Sequence, residues 1–363
     1  MASAENDPAV ERPPSLTLSG RARVASCLGF RIAATGVYLP EEVVTNDDLS
    51  RLGCDSDWIV QRTGIRQRYR AADDQATSDL AYEAAIDCLQ RAGVPASEVD
   101  LVVVATITPD HATPSTACIL QHRLGCVAPA FDINAACSGF VYALAVAAQF
   151  VASGAAKNAL VVGAEVMTRT IDPQDVKTYP LFGDGAGAVL LQPAAESAEP
   201  PIPGARDGGR PGLLAYSLGA EGVGGPQLCI PAGGSRQLLT AAGLDAGDQF
   251  LKMDGRAVFK WAVRVIRDSC NDALSACGLQ PDQIDAWVLH QANIRIMESA
   301  MQDFAIDRER LVINVDRVGN TSAASVAIAL HDAVDAGSVR RGDLVMLCGF
   351  GAGLTWGTAV LRY

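Results

Sequence analysis

The sequence predicts an α/β protein made of two similar βαβ-type halves, and three observations carry that prediction. Continuous Val-, Ile- and Leu-rich runs of strand length, of the kind buried on both faces of a sheet, alternate with helical patterns. The order of these elements in the first half returns in the second. Between them lies a stretch rich in Pro, Gly and Ala, residues 193–211, whose composition marks a boundary. The chain accordingly divides into an N-terminal extension (1–28), a first half (29–195), a connection (196–211) and a second half (212–363).

Each element follows from local chemistry. Residues 30–37 read as the first strand. Thr45-Asn46-Asp47-Asp48 offers an N-cap and an acidic first turn for a short helix, and Asp55-Ser56-Asp57-Trp58 opens another. Residues 77–92 carry an amphipathic helix, 101–106 a buried strand, 114–124 a helix and 128–133 a strand. Residues 141–152 are apolar but too few to cross a bilayer, so they form a buried helix. Two further strands span 159–165 and 186–191. The Gly183-Asp184-Gly185-Ala186-Gly187 run enters a strand rather than a helix and reads as a tight turn, not a phosphate loop.

The second half echoes the first. The Asp100-led Val-rich strand returns as Asp285-Ala286-Trp287-Val288-Leu289. Phe131-Asp132-Ile133-Asn134 returns as Val312-Ile313-Asn314-Val315, and Leu160-Val161-Val162-Gly163 as Leu344-Val345-Met346-Leu347. Gly187-Ala188-Val189-Leu190-Leu191 and Gly357-Thr358-Ala359-Val360-Leu361 close the halves alike. Loops at corresponding strand ends then meet at the shared interface, where such folds place their sites.

A chain of 363 residues, 49% hydrophobic and 19% charged, can bury a large core. Its net charge of −12 argues against general nucleic-acid binding. Ten scattered cysteines with no C-x-x-C pair disfavour a structural metal and fit reduced thiols in a cytoplasmic setting. The first residues lack the basic start and apolar core of a secretory signal, so 1–28 is expected to be a flexible extension.

The chemistry centres on Cys137. An apolar strand-like run ends there and a small-residue helix begins, so Cys137 is expected at a helix N-terminus. Unpaired N–H groups in that turn favour thiolate and can hold an oxyanion, making Cys137 a candidate nucleophile. Simple packing is the alternative, since free cysteine is commonly buried. Three groups lie at corresponding strand ends. His290 follows Trp287-Val288-Leu289, Asn320 precedes the second half's central helix, and Phe350-Gly351-Ala352-Gly353 ends the last strand but one. Taken singly, Asn320 could be an N-cap and His290 a satisfied core histidine.

Together, Ala136-Cys137-Ser138-Gly139-Phe140, His290-Gln291-Ala292-Asn293, Gly319-Asn320-Thr321-Ser322-Ala323-Ala324-Ser325 and Gly349-Phe350-Gly351-Ala352-Gly353-Leu354-Thr355-Trp356-Gly357 resemble the thiolase-fold condensing enzymes. Within them the chain is most similar to β-ketoacyl-acyl-carrier-protein synthase III, over residues 31–363. The resemblance implies a thiolase-like fold, two halves each with a mixed sheet, layered αβαβα. It also implies decarboxylative condensation of an acyl-coenzyme A primer with malonyl-acyl carrier protein, without a cofactor or metal, in a homodimer. Cys137 would carry the acyl group, the amides of Cys137 and Ala352 would hold its oxyanion, and His290, as a neutral donor, with Asn320 would hold the enolate thioester oxygen. Phe350 matches the aromatic gate beside the departing carboxylate.

The same resemblance assigns a coenzyme A site. Trp58 would stack on adenine, Arg62 would meet the pyrophosphate, Gly255, Phe259 and Asn293 would line the pantetheine tunnel, and Arg295 would lie beside them. Val176 departs from the arginine several relatives place there, with Lys177 next to it. Arg256, Lys260, Arg264 and Arg295 resemble a docking surface for the acidic carrier protein; an ordinary solvated basic face is the competing account. Gln302 and Asp303 replace lysines found in some relatives. Thr113 holds a position that is aromatic in members restricted to very short primers, so a longer, branched or aromatic primer is expected. An acyltransferase of the same fold, a non-catalytic acyl-thioester binder and a cysteine hydrolase are the alternatives, and the intact His290 and Asn320 count against the first two.

Overall fold

The computed structural model describes residues 22–194 and 209–363, so most of the expected N-terminal extension and of the 196–211 connection lies outside the described residues. In the first half five strands lie in the order Phe30–Tyr38, Gly185–Pro193, Ala159–Glu165, Leu101–Ala105, Ala130–Ile133. The last three run parallel and the first two antiparallel, a mixed sheet. The second half repeats the order with Gly212–Ala220, Thr355–Arg362, Leu344–Gly351 and Ala286–Leu289.

Two differences from the expected echo stand out. The counterpart of Ala130–Ile133 is no strand: residues 312–315 pass through loop into a short helix, and one bridge between Trp287 and Leu311 is what pairs there. Asn314 and Val315 instead give their amides to Gln291 Oε1, which takes that backbone out of a ladder. At the opposite edge Ala25–Leu28, expected within the flexible extension, pairs antiparallel with Gly212–Ala220. The segment ahead of the first half thereby adds a strand to the second half's sheet.

Strand alternation sorts the core into layers. Leu101, Val103 and Ala105 face inward, where they join the helices Gly139–Ala152 and Ser325–Asp335 and the inner residues Val288, Val345 and Leu347 of the other sheet. Val102 and Val104 face outward against the helices Thr77–Ala92 and Thr116–Leu124. On the far side Trp287, Leu289 and Met346 pack against Gly255–Cys277. Helix, sheet, helix pair, sheet, helix is the αβαβα layering expected.

The central helices are rich in Ala because both sheets press on them. A Cβ on Gly163 would fall 2.6 Å from Ala323 O, and one on Gly349 would fall 3.0 Å from Cys137 O. These two glycines are therefore counterparts, which pairs Leu160 with Met346 and shifts the expected echo of Leu160 with Leu344 by two residues. The same match pairs Cys137 with Ala323 and Ala136 with Ser322, and both members of the latter pair have φ of 48°.

Candidate active site

Cys137 lies in the 3-10 turn Ala136–Ser138 that leads into Gly139–Ala152, at the helix N-terminus the sequence predicts. The turn is pinned by Ser138 Oγ, which donates to Ala135 O at 2.7 Å and bonds Thr355 Oγ1 at 2.9 Å. Gly351 passes so close that a Cβ there would stand 2.7 Å from the Cys137 amide nitrogen and 3.2 Å from Sγ. The side chain is 8% exposed, and burial pushes the thiol up to about 12. The expected thiolate is thus not the resting form. Desolvation is the largest cause; the Ser322 hydrogen bond and the Cys137 backbone N–H act the other way, and the nearby Glu165 charge adds to the rise. Sγ donates to Ser322 Oγ at 3.5 Å rather than to His290.

His290 follows the strand Ala286–Leu289, its amide tied to Cys348 O at 2.8 Å. The imidazole is 1% exposed, stands edge-on to Phe350 with centroids 5.1 Å apart, and has no hydrogen-bond partner at Nδ1. Burial alone pushes it down to about 3, so it is neutral at physiological pH. Asn320 accepts the Ser322 amide on Oδ1 at 2.9 Å, a local turn that leaves Nδ2 as the group free to donate. Asn320 thus organises the turn ahead of the helix without standing at its N-cap position, which Thr321 and Ala324 hold for the 3-10 turn and the α-helix.

A cavity of about 300 Å³ joins these groups. Cys137, His290, Asn320 and Phe350, all buried, line it together with Ala352, and so do Trp58, Arg62, Gly255, Phe259 and Asn293. Most of the lining is apolar, including Met167, Leu228, Leu251 and Met253, which carried no distinguishing signal in the sequence. Trp58 is set by Asp55, whose carboxylate caps its helix through the Trp58 amide at 2.6 Å. The Arg62 guanidinium lies over the indole at 4.2 Å, one helical turn on. Asn293 Nδ2 donates to Arg62 O at 2.9 Å, joining the two halves at the cavity wall. Val176 and Lys177 both line the cavity.

Arg62, Arg66, Arg68 and Arg70 follow one another closely in the sequence, but not all of them belong here. Arg68 is buried and bound to Val44 O, Asn46 Oδ1 and Pro180 O, which makes it a structural group. Arg295 is exposed and lies outside the cavity, as does Thr113. Arg256, Lys260 and Arg264 line a separate surface groove with Trp261, whereas Arg267 on the same helix is committed to Asp268 and Asp303. Among the described residues no group of three His, Cys, Asp or Glu is placed to hold a metal, and no helix is long and apolar enough to cross a membrane.

Glu165 is the residue the sequence reading missed. It is fully buried at the end of Ala159–Glu165 and accepts from the amides of Ile107, Thr108 and Ala323 and from the hydroxyls of Thr106 and Thr108. Burial still pushes it up to about 7.

This geometry has close relatives. The model of 3-oxoacyl-[acyl-carrier-protein] synthase III matches residues 131–203, and that of its C-terminal region matches 274–363. A β-ketoacyl-[acyl-carrier-protein] synthase III from Rhodopirellula baltica is 58% identical over 92% of this chain and 99% of its own. The chain belongs to the β-ketoacyl-acyl-carrier-protein synthase III family. It is thus a condensing acyltransferase with the thiolase-like fold. Crystal structures of synthase III from Thermus thermophilus and Aquifex aeolicus superpose with TM-scores of 0.82 and 0.80 at 43% and 40% identity, each over 92% of this chain and 99% and 100% of theirs. The synthase III fold accounts for the duplicated mixed sheets, and residues of both halves line the cavity.

Proposed function

We propose that Cys137 is the residue on which this synthase III carries out its decarboxylative Claisen condensation of an acyl-coenzyme A with malonyl-acyl carrier protein. The observation that carries this reading is that Cys137, His290 and Asn320, buried and from three separate elements, line one cavity whose walls also include Trp58 and Arg62. The acyl thioester enters with its nucleotide toward Trp58 and Arg62 and its pantetheine along Gly255, Phe259 and Asn293. Sγ attacks the acyl carbon, and the oxyanion rests on the Cys137 and Ala352 amides. A glycine at 351 supports this, because it leaves the Cys137 amide uncovered.

In the second half-reaction the malonyl carboxylate leaves as CO2 against Phe350, whose apolar ring favours loss of charge. The enolate oxygen takes hydrogen bonds from neutral His290 and from Asn320 Nδ2, and its carbon attacks the acyl-cysteine. A histidine held down to about 3 cannot instead quench the enolate by giving up an imidazolium proton. The carrier protein docks on the groove of Arg256, Lys260 and Arg264, with exposed Arg295 at its edge, in a cytoplasmic homodimer. Thr113, exposed in a single chain, borders the acyl end of the other protomer's cavity and admits a primer longer than acetyl or a branched or aromatic one.

Intact-protein mass spectrometry tests the reading. The protein is incubated with a panel of straight, branched and aromatic acyl-coenzyme A thioesters and then with malonyl-carrier protein, with Cys137→Ala as control. A Cys137-dependent adduct that malonyl-carrier discharges to a β-ketoacyl product is expected. An adduct that ignores malonyl-carrier but moves to an alcohol or amine would replace condensation with simple acyl transfer.

A further inference from the structure

The two donors proposed to share one enolate oxygen come from different parts of the second half. His290 follows the strand Ala286–Leu289, and Asn320 precedes the turn Ser322–Ala324. His290 Nδ1 has no hydrogen-bond partner, so no polar neighbour at that nitrogen aims the imidazole. Its direction is set by the backbone that carries it and by Phe350 against the ring. Neither donor's amide reaches the other's segment: that of His290 goes to Cys348 O at 2.8 Å and that of Asn320 to Leu181 O at 2.8 Å.

The residue after the histidine supplies the tie. Gln291 is 1% exposed, and its side chain uses all four of its hydrogen-bonding positions. Nε2 donates to Leu289 O at 2.8 Å and to Val312 O at 3.0 Å, and Oε1 accepts the amides of Asn314 at 3.0 Å and Val315 at 3.2 Å. The Gln291 amide donates to Ser325 Oγ at 2.8 Å. Ser325, also 1% exposed, is the first residue of the helix Ser325–Asp335. Asn314 and Val315 lie ahead of Asn320 and Ser325 lies after it, so Gln291 grips the chain on both sides of Asn320.

The duplication shows that the fold alone does not require this arrangement. Ala105 pairs with Gly163 in the first half, and continuing the Leu289–Cys348 register by one residue sets His290 beside Gly349, the counterpart of Gly163. Thr106 is therefore the counterpart of Gln291. Its amide goes to Ile133 O at 3.2 Å, on the neighbouring strand Ala130–Ile133. The second half has no strand there, and the Gln291 amide turns instead to a hydroxyl on the central helix. The counterpart of Ser325, two residues past Cys137 as Ser325 is two past Ala323, is Gly139, where a Cβ would stand 3.2 Å from that of Ala105. The hydroxyl thus belongs to the half that carries the histidine.

We infer that Gln291 and Ser325 are positioning residues for condensation: they hold the chain at His290 in fixed register with the chain at Asn320, so that both donors meet one oxygen. This rests on His290 and Asn320 being the enolate-side donors. Donors aimed at developing charge lose their effect when misplaced by about 1 Å. Slack in the register therefore costs the second half-reaction. Acylation is spared, because the Cys137 turn is pinned separately by Ser138 to Ala135 O and Thr355 and uses neither donor.

A double-mutant cycle tests this. Acylation of Cys137, with whichever acyl-coenzyme A of the panel loads fastest, and discharge by malonyl-carrier protein are measured as separate single turnovers in the wild-type protein, Ser325→Ala, Ser325→Cys, His290→Ala and Ser325→Ala with His290→Ala. Ser325→Ala should acylate within a few-fold of wild type and discharge roughly 10- to 100-fold more slowly. In the His290→Ala background the same change should cost no more than about 2-fold, because the group it positions is already gone. Ser325→Cys fills the serine's space with a poorer acceptor, so it should show the same pattern with a smaller loss, and it keeps the test alive if the alanine variant misfolds. Equal losses in the two half-reactions, or the same factor with and without His290, would make Ser325 a packing residue and overturn the proposal. Discharge at the wild-type rate in both Ser325 variants also overturns it. If His290→Ala alone discharges as fast as wild type, the enolate role proposed for His290 fails and the positioning role falls with it, a result read without touching Ser325.

Discussion

Gly351 lies against Cys137 with no room for a methyl group: a Cβ would stand 2.7 Å from the Cys137 nitrogen and 3.0 Å from its Cβ. The contact is to backbone in a packed turn, so neither side can yield cheaply. Gly351→Ala should destabilise the fold by about 1–3 kcal/mol and cut Cys137 acylation by roughly 100-fold, because the shift falls on the amide proposed to hold the oxyanion. Thermal unfolding and the acylation rate by mass spectrometry check both parts. Acylation at the wild-type rate would remove that amide from the mechanism.

Asn320 separates the half-reactions. Asn320→Asp keeps an oxygen to accept the Ser322 amide, the 2.9 Å bond that organises the helix start, but replaces the Nδ2 donor with a carboxylate oxygen. Acylation of Cys137 should stay within a few-fold of wild type, while discharge by malonyl-carrier should fall roughly 100- to 1,000-fold. Single-turnover measurement of each half-reaction decides it. Equal losses in both would place Asn320 in the shared scaffold instead.

The pattern of what could be read beforehand has a physical logic. The helix Thr77–Ala92 and the strand Ala159–Glu165 were legible to the residue, since periodicity and a terminal glycine or loop mark them. Cys137, His290 and Asn320 were legible because each motif sits at a strand end that the duplication brings to one interface. Glu165 was not: a glutamate ending a Val-rich strand looks like a solvated edge until the amides of Ile107, Thr108 and Ala323 are seen to converge on it. Residues 312–315 misled in the other direction. Their apolar run has a strand's composition, yet Gln291 takes the Asn314 and Val315 amides, a pairing set by tertiary structure that no local pattern encodes.

His290 makes a prediction in stability. Its folded pKa is pushed down to about 3, whereas in the unfolded chain it is about 6.5. Below the unfolded value the unfolded chain binds a proton that the folded protein excludes, so stability from this site is present above pH ~6.5 and lost as pH falls toward 3. His290→Ala should therefore flatten the acid limb, removing a slope of up to about 1.4 kcal/mol per pH unit in that window. Urea unfolding at pH 7, 6, 5 and 4 measures it. Parallel curves for wild type and variant would mean that water or rearrangement lets the buried ring protonate.

Trp58 should matter for the nucleotide and not for the chemistry. Arg62 already covers one face of the indole at 4.2 Å, so an adenine can stack on the other face only, and Val176 and Lys177 offer no second planar group in the lining. Removing one such stack costs about 1 kcal/mol, which is a factor of roughly five. Trp58→Ala is expected to raise KM for acyl-coenzyme A by about that factor and leave kcat unchanged. KM for the matching acyl-pantetheine, which lacks the nucleotide, should not move. If both thioesters lose affinity equally, Trp58 shapes the tunnel through the Ser56–Thr63 helix rather than gripping adenine, and the Arg62 stack is then the helix's own packing.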